Sequence, residues 1–150
     1  MNLFLNPQLC TDCGTCESVC DKLAVDVCTI EDDAGFVSIP IMCMQCEDAA
    51  CMAVCPAKAI YRDDNSTVLV DAKKCIGCKL CVSACPFGCV AYSYSEKKIV
   101  KCDLCGGSPD CVKYCPKLAI VFEEPTEANM NKKRTIAKKF KGLLELEQGD

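Results

Sequence analysis

A small α+β fold, in which short hairpins and brief helical turns repeat around clustered cysteines and a separate helix follows, is the class this 150-residue sequence predicts. Three observations carry that expectation. The chain holds 18 Cys with no His and no Trp, far from average usage. Four cysteine runs recur with a shared spacing. Between them the chain alternates in short apolar stretches bounded by turn residues, as hairpins do.

Such a cysteine count leaves two broad readings, a disulfide-stapled secreted scaffold or a metal protein. Residues Met1 to Pro7 show neither a basic n-region nor a long apolar h-region, so no secretory signal is expected. No stretch approaches eighteen uninterrupted apolar residues. The expectation is therefore a reducing, cytoplasmic setting with thiols free for metal. The lack of histidine removes Cys/His zinc sites, Rieske centres, His-ligated haem and the commonest general acid/base. Sites made of thiolate alone select zinc, Cu(I) or iron-sulfur clusters.

In chain order the runs are Cys10-x2-Cys13-x2-Cys16-x3-Cys20, Cys43-x2-Cys46-x4-Cys51-x3-Cys55-Pro56, Cys75-x2-Cys78-x2-Cys81-x3-Cys85-Pro86 and Cys102-x2-Cys105-x5-Cys111-x3-Cys115-Pro116. Three thiolates from one tight loop can reach three irons of a cube. A fourth, carried away on a helical turn, then faces another cluster, as in two-cluster bacterial ferredoxins. Zinc sites join two separated Cys pairs, and neighbouring Cys-x-x-Cys runs make poor long-loop staples. The spacing therefore predicts four [4Fe-4S] clusters held by these sixteen cysteines, with the runs working in pairs.

The repeat continues past the cysteines. After each fourth one come three residues, a small residue and a branched apolar one: Ala24-Val25, Ala59-Ile60, Cys89-Val90 and Ala119-Ile120. The small side chain lets backbone approach a cluster, and the β-branched residue opens a strand. Hairpins are expected from Val25–Val27 and Phe36–Ile39 around Asp33-Ala34-Gly35, and from Ile60–Arg62 and Val68–Val70 around Asp63-Asp64-Asn65-Ser66. Cys89 stands where the other units have alanine and reads as a small buried hydrophobe. Cys28, in Val25-Asp26-Val27-Cys28-Thr29-Ile30, reads as strand packing. Cys20 precedes Asp21 where the other units have proline, which makes it the least supported of the sixteen ligands.

With sixteen ligands in four such runs, the chain resembles the four-cluster ferredoxin-like electron-transfer subunits of the dimethyl-sulfoxide-reductase and formate-dehydrogenase type, over residues 7 to 122. The resemblance implies tandem, nested ferredoxin-like modules within a domain spanning 1–124. The inner module covers about 40–90, and the outer one 7–39 plus 91–124. It implies cluster sets Cys10, Cys13, Cys16, Cys115; Cys20, Cys102, Cys105, Cys111; Cys43, Cys46, Cys51, Cys85; and Cys55, Cys75, Cys78, Cys81. Spacing does not decide this, since pairing first with second and third with fourth also joins one x2 run to one expanded run. The function implied is a non-catalytic relay, with no catalytic residues of its own, between a catalytic oxidoreductase subunit and a redox acceptor in an anaerobic hetero-oligomer. Compact size leans toward the small subunit of a tungsten aldehyde oxidoreductase. Relay subunits of a CO dehydrogenase, hydrogenase or formate dehydrogenase are the alternatives, as is a self-associating scaffold that assembles enzyme subunits.

Formal charge is −4, but sixteen thiolates and four oxidised cubane cores bring the loaded chain to roughly −12. Nucleic acid is disfavoured as a partner. Residues 1–125 hold 11 Lys/Arg against 17 Asp/Glu, while 126–150 hold 6 against 4. The segment 125–150, with Lys132, Lys133, Arg134, Lys138, Lys139 and Lys141 and with Ile136, Phe140, Leu143 and Leu144 at helical spacing, reads as a basic amphipathic helix. Docking on a partner subunit leads packing on its own core, and membrane contact comes last.

Overall fold

The computed structural model describes residues 1–32, 35–124, 126–127 and 131, with the side chains of 30, 32 and 35–37 left aside. The expected C-terminal helix of 125–150 lies almost wholly outside the described residues. Among the described residues, eight strands, four short helices and a 3-10 turn (Leu104–Gly107) follow in the order β1 (Asn2–Leu5), α1 (Thr15–Ser18), β2 (Val25–Asp32), β3 (Gly35–Met42), α2 (Ala50–Ala53), β4 (Ile60–Arg62), β5 (Val68–Val70), α3 (Leu80–Ala84), β6 (Val90–Ser93), β7 (Lys98–Lys101), the 3-10 turn, α4 (Asp110–Lys113) and β8 (Ile120–Glu123). The α+β class holds.

Strands pair only in twos and antiparallel among the described residues: β2 with β3, β4 with β5, β6 with β7, and β1 with β8. The β4–β5 hairpin has the predicted bounds, with Ile60 opposite Val70. Its turn is built by Asp63, whose carboxylate accepts from the N–H groups of Asn65 and Thr67 at 3.0 and 2.7 Å, the local bonding that makes Asp a turn former. The β2–β3 hairpin runs longer than predicted, from Val25–Met42 to Asp32–Gly35. β8 follows the fourth cysteine run and closes on β1, Leu3 opposite Phe122.

Two apolar cores result. One gathers Ala49, Ile60, Val68, Val90 and Ile99, with Cys55, Cys75, Cys81 and Cys85 against it. The other gathers Leu3, Val25, Leu104 and Ile120, with Cys16, Cys20, Cys102, Cys111 and Cys115. α2 packs with α3 and α1 with α4. No helix among the described residues is long and apolar enough to cross a membrane.

Cys89 is buried, as its place in the repeat predicts, and its thiol donates to the Phe87 carbonyl at 3.3 Å. Cys28 departs from expectation. It lies in β2 opposite Ile39 but is exposed: among the described residues β2 pairs only with β3, and a two-stranded pair does not by itself bury both of its faces.

Candidate metal centre

Each cysteine run folds by the same backbone device. The residue before the second cysteine is left-handed in all four: Asp12 at φ 55°, Gln45 at 48°, Gly77 at 68° and Leu104 at 56°. So is the residue three beyond the fourth cysteine: Leu23 at 49°, Lys58 at 49°, Gly88 at 66° and Leu118 at 51°. The N–H of each of these four donates to the carbonyl of its fourth cysteine at 3.2–3.4 Å. The reversal turns the next residue inward, which explains why Ala24, Ala59, Cys89 and Ala119 are all buried. It also aims backbone at sulfur: Ala59 N–H donates to Cys55 Sγ and Ala119 N–H to Cys115 Sγ, both at 3.2 Å. The Leu104 N–H donates to Cys102 Sγ at 3.4 Å. The unit at Cys20 keeps this reversal without proline. Sequence hinted at these positions only through Gly77 and Gly88. At Gly77 a Cβ would also lie 3.0 Å from the Lys97 carbonyl.

The thiols gather around cavities. One, of about 380 Å³ including its open side, is lined by Cys10, Cys13, Cys16 and Cys115. A second, of about 390 Å³, is lined by Cys43, Cys46, Cys51 and Cys85, with Cys89 and Lys101 in its wall. Among the described residues no three Cys, Asp or Glu side chains converge as ligands of a single ion do. Of the other eight run cysteines, Cys55, Cys75 and Cys81 pack in the first core and Cys20, Cys102 and Cys111 in the second, while Cys78 and Cys105 are exposed. Burial pushes the Cys111 thiol up to about 11, helped by charge on Cys105 and Cys20. Burial likewise takes Cys81 to about 11, with Cys78 and Cys55 as its charged neighbours.

Not every thiol is pushed upward. Burial pushes Cys55 up, but the N–H groups of Ile60 and Ala59 outweigh it and leave the thiol below its ordinary value. The exposed Cys13 is also lowered, first by the Thr15 hydroxyl 3.3 Å away. Cysteine loops with backbone N–H donors aimed at sulfur fit a negatively charged thiolate-ligated cluster. Arg62 braces one such loop from outside, donating to the carbonyls of Cys46, Glu47 and Ser66 at 2.6, 2.8 and 2.7 Å.

Thiol-lined cavities with amide donors and no histidine define an iron-sulfur protein of the ferredoxin-like kind. The chain belongs to the 4Fe-4S dicluster domain family, whose model matches residues 34–125, and a 4Fe-4S binding domain model matches 7–21. It is 39% identical over 79 residues to an uncharacterized ferredoxin of Methanocaldococcus jannaschii, a match covering 53% of this chain and 49% of the relative. It is 30% identical over 93 residues to the arsenate respiratory reductase iron-sulfur subunit of Shewanella sp. strain ANA-3, covering 54% and 40%. The thiosulfate reductase electron transfer subunit of Salmonella typhi is 48% identical over a shorter stretch of 46 residues, covering 31% and 24%. The chain thus spans about half the length, or less, of these curated relatives.

Proposed function

We propose that the chain is an electron-transfer subunit that binds four [4Fe-4S] clusters and relays single electrons between a catalytic oxidoreductase subunit and an acceptor. The observation that carries it is the pairing of runs around the cavities. Cys115 of the fourth run lines a cavity with the first three cysteines of the first run, and Cys85 of the third does so with those of the second. That crossing favours nested modules, 40–90 within 7–39 plus 91–124, over pairing in sequence order. The packing of α1 with α4 and of α2 with α3 supports the same division, as does the β1–β8 closure.

When bound, such a cluster supplies one-electron storage at a potential set by hydrogen bonds, charge and exposure. The chain's own residues hold the sulfurs in place and direct amide N–H groups at them. The sixteen run cysteines are the proposed ligands, and Cys28 and Cys89 are not. The relatives named as reductase subunits point to a catalytic partner in general. They give no support to the tungsten aldehyde oxidoreductase lean. Anaerobic purification of the native complex with metal analysis tests the proposal. About 16 Fe per chain is expected from four cubane clusters, together with co-purification of a larger catalytic subunit; about 8 Fe would refute it.

A further inference from the structure

Lys101 closes β7 with its side chain turned inward, 5% exposed. Its Nζ donates to the carbonyls of Val68 and Cys102, and no ion pair formed by the described residues includes it. A buried ammonium with carbonyls but no carboxylate is costly unless another anion stands near. The nearby groups that become anionic on binding a cluster are the sulfurs of the proposed ligands. Lys101 lines the cavity of Cys43, Cys46, Cys51 and Cys85 and is bonded to the backbone of Cys102, a proposed ligand of the neighbouring set. Its charge opposes the effect of burial on both the Cys51 and the Cys102 thiols. Gln45 completes the junction: its Nε2 donates to the same Cys102 carbonyl at 3.0 Å, and its Oε1 accepts from the Val68 N–H at 2.8 Å.

We propose that the Lys101 ammonium is a fixed countercharge at the junction of the two cores, which holds the cluster site of Cys43, Cys46, Cys51 and Cys85 at a raised reduction potential. This rests on the cluster reading above. Adding an electron makes a site more negative, so a buried cation beside it favours the reduced form. Bulk salt screens that effect little, because the ammonium is out of water. The same charge acts on the set that includes Cys102, across the Lys101–Cys102 peptide.

The test is an anaerobic redox titration of the loaded full-length protein, followed by EPR, for the wild type and for Lys101→Gln and Lys101→Arg. Iron content is measured first, and Cys46→Ser identifies which signal belongs to the cavity. The expected result is that Lys101→Gln lowers the reduced-to-oxidised ratio of that signal at least tenfold at the wild-type midpoint, 59 mV for a one-electron couple. Lys101→Arg, which keeps the charge, stays near the wild type. If Lys101→Gln does not retain iron, Gln45→Glu replaces it: a carboxylate sharing the Cys102 carbonyl's surroundings neutralises the ammonium and lowers the same signal. Full iron content with an unmoved midpoint in the neutralised variant overturns the countercharge alone. An iron content and EPR spectrum insensitive to Cys46→Ser would overturn the cluster reading and the countercharge with it.

Discussion

Replacing Cys115 by alanine separates the two ways in which the four runs can pair. Cys115 shares a cavity with Cys10, Cys13 and Cys16, 99 or more positions away in sequence. Pairing in chain order would instead make it a ligand beside Cys75, Cys78 and Cys81. Nested pairing predicts that Cys115→Ala takes the iron content from about 16 to about 12 per chain if the cluster is lost whole, and to about 15 if only the iron it held is shed. Location is the sharper readout. Anaerobic iodoacetamide labelling with peptide mass spectrometry should find the run thiols of the wild type protected and the exposed Cys28 labelled. In Cys115→Ala the newly labelled residues should be Cys10, Cys13 and Cys16. Cys13 should lead, being exposed and lowered by Thr15. Cys16 should trail, because burial raises its thiol, and only thiolate is alkylated. Labelling of Cys75, Cys78 and Cys81, with the first run still protected, would refute the nesting.

Three further outcomes follow from the same geometry. In Cys115→Ala, where the first run's thiols are released while the other three clusters remain, adding Thr15→Ala should move Cys13 alkylation to higher pH, since losing the hydroxyl partner raises a thiol that is held low; an unchanged pH–rate profile between about pH 7 and 9, around the ordinary thiol value, counts against it. Gly77→Ala should destabilise the third run by about 1–2 kcal/mol for a side chain in the left-handed region, and further through the Lys97 carbonyl 3.0 Å from the new Cβ. Thermal unfolding and the rate of iron loss to a chelator measure it, and wild-type values for both would contradict the close approach. Cys89→Ala and Cys28→Ser should each keep about 16 Fe per chain by iron analysis, since neither belongs to a proposed set, and loss of one cluster from either would return that cysteine to the ligands.

What could be read from the sequence was local. The β4–β5 hairpin was legible because Asp63 makes its own turn bonds, and the burial of Cys89 because its position repeats that of Ala24, Ala59 and Ala119. The β1–β8 pair was not, since nothing near Leu3 specifies Phe122 as its partner. Lys101 was hidden by its type: it shares a face of β7 with buried Ile99, two residues before it, but a lysine marks the solvent side of a strand unless some other element covers it. Here the Gln45 loop and Val68 supply the cover. The left-handed positions were hidden for a more instructive reason. Of the eight that repeat, six are not glycine, namely Asp12, Leu23, Gln45, Lys58, Leu104 and Leu118, so residue identity does not ask for that conformation. Each such residue costs on the order of 1–2 kcal/mol, and the single-turn helices and two-stranded sheets around them are individually too short to repay it. What the reversals accomplish is to turn thiols and N–H groups toward shared cavities. The stabilisation that offsets them must therefore come largely from what those sulfurs bind, which makes cluster loading and folding of this chain one coupled equilibrium.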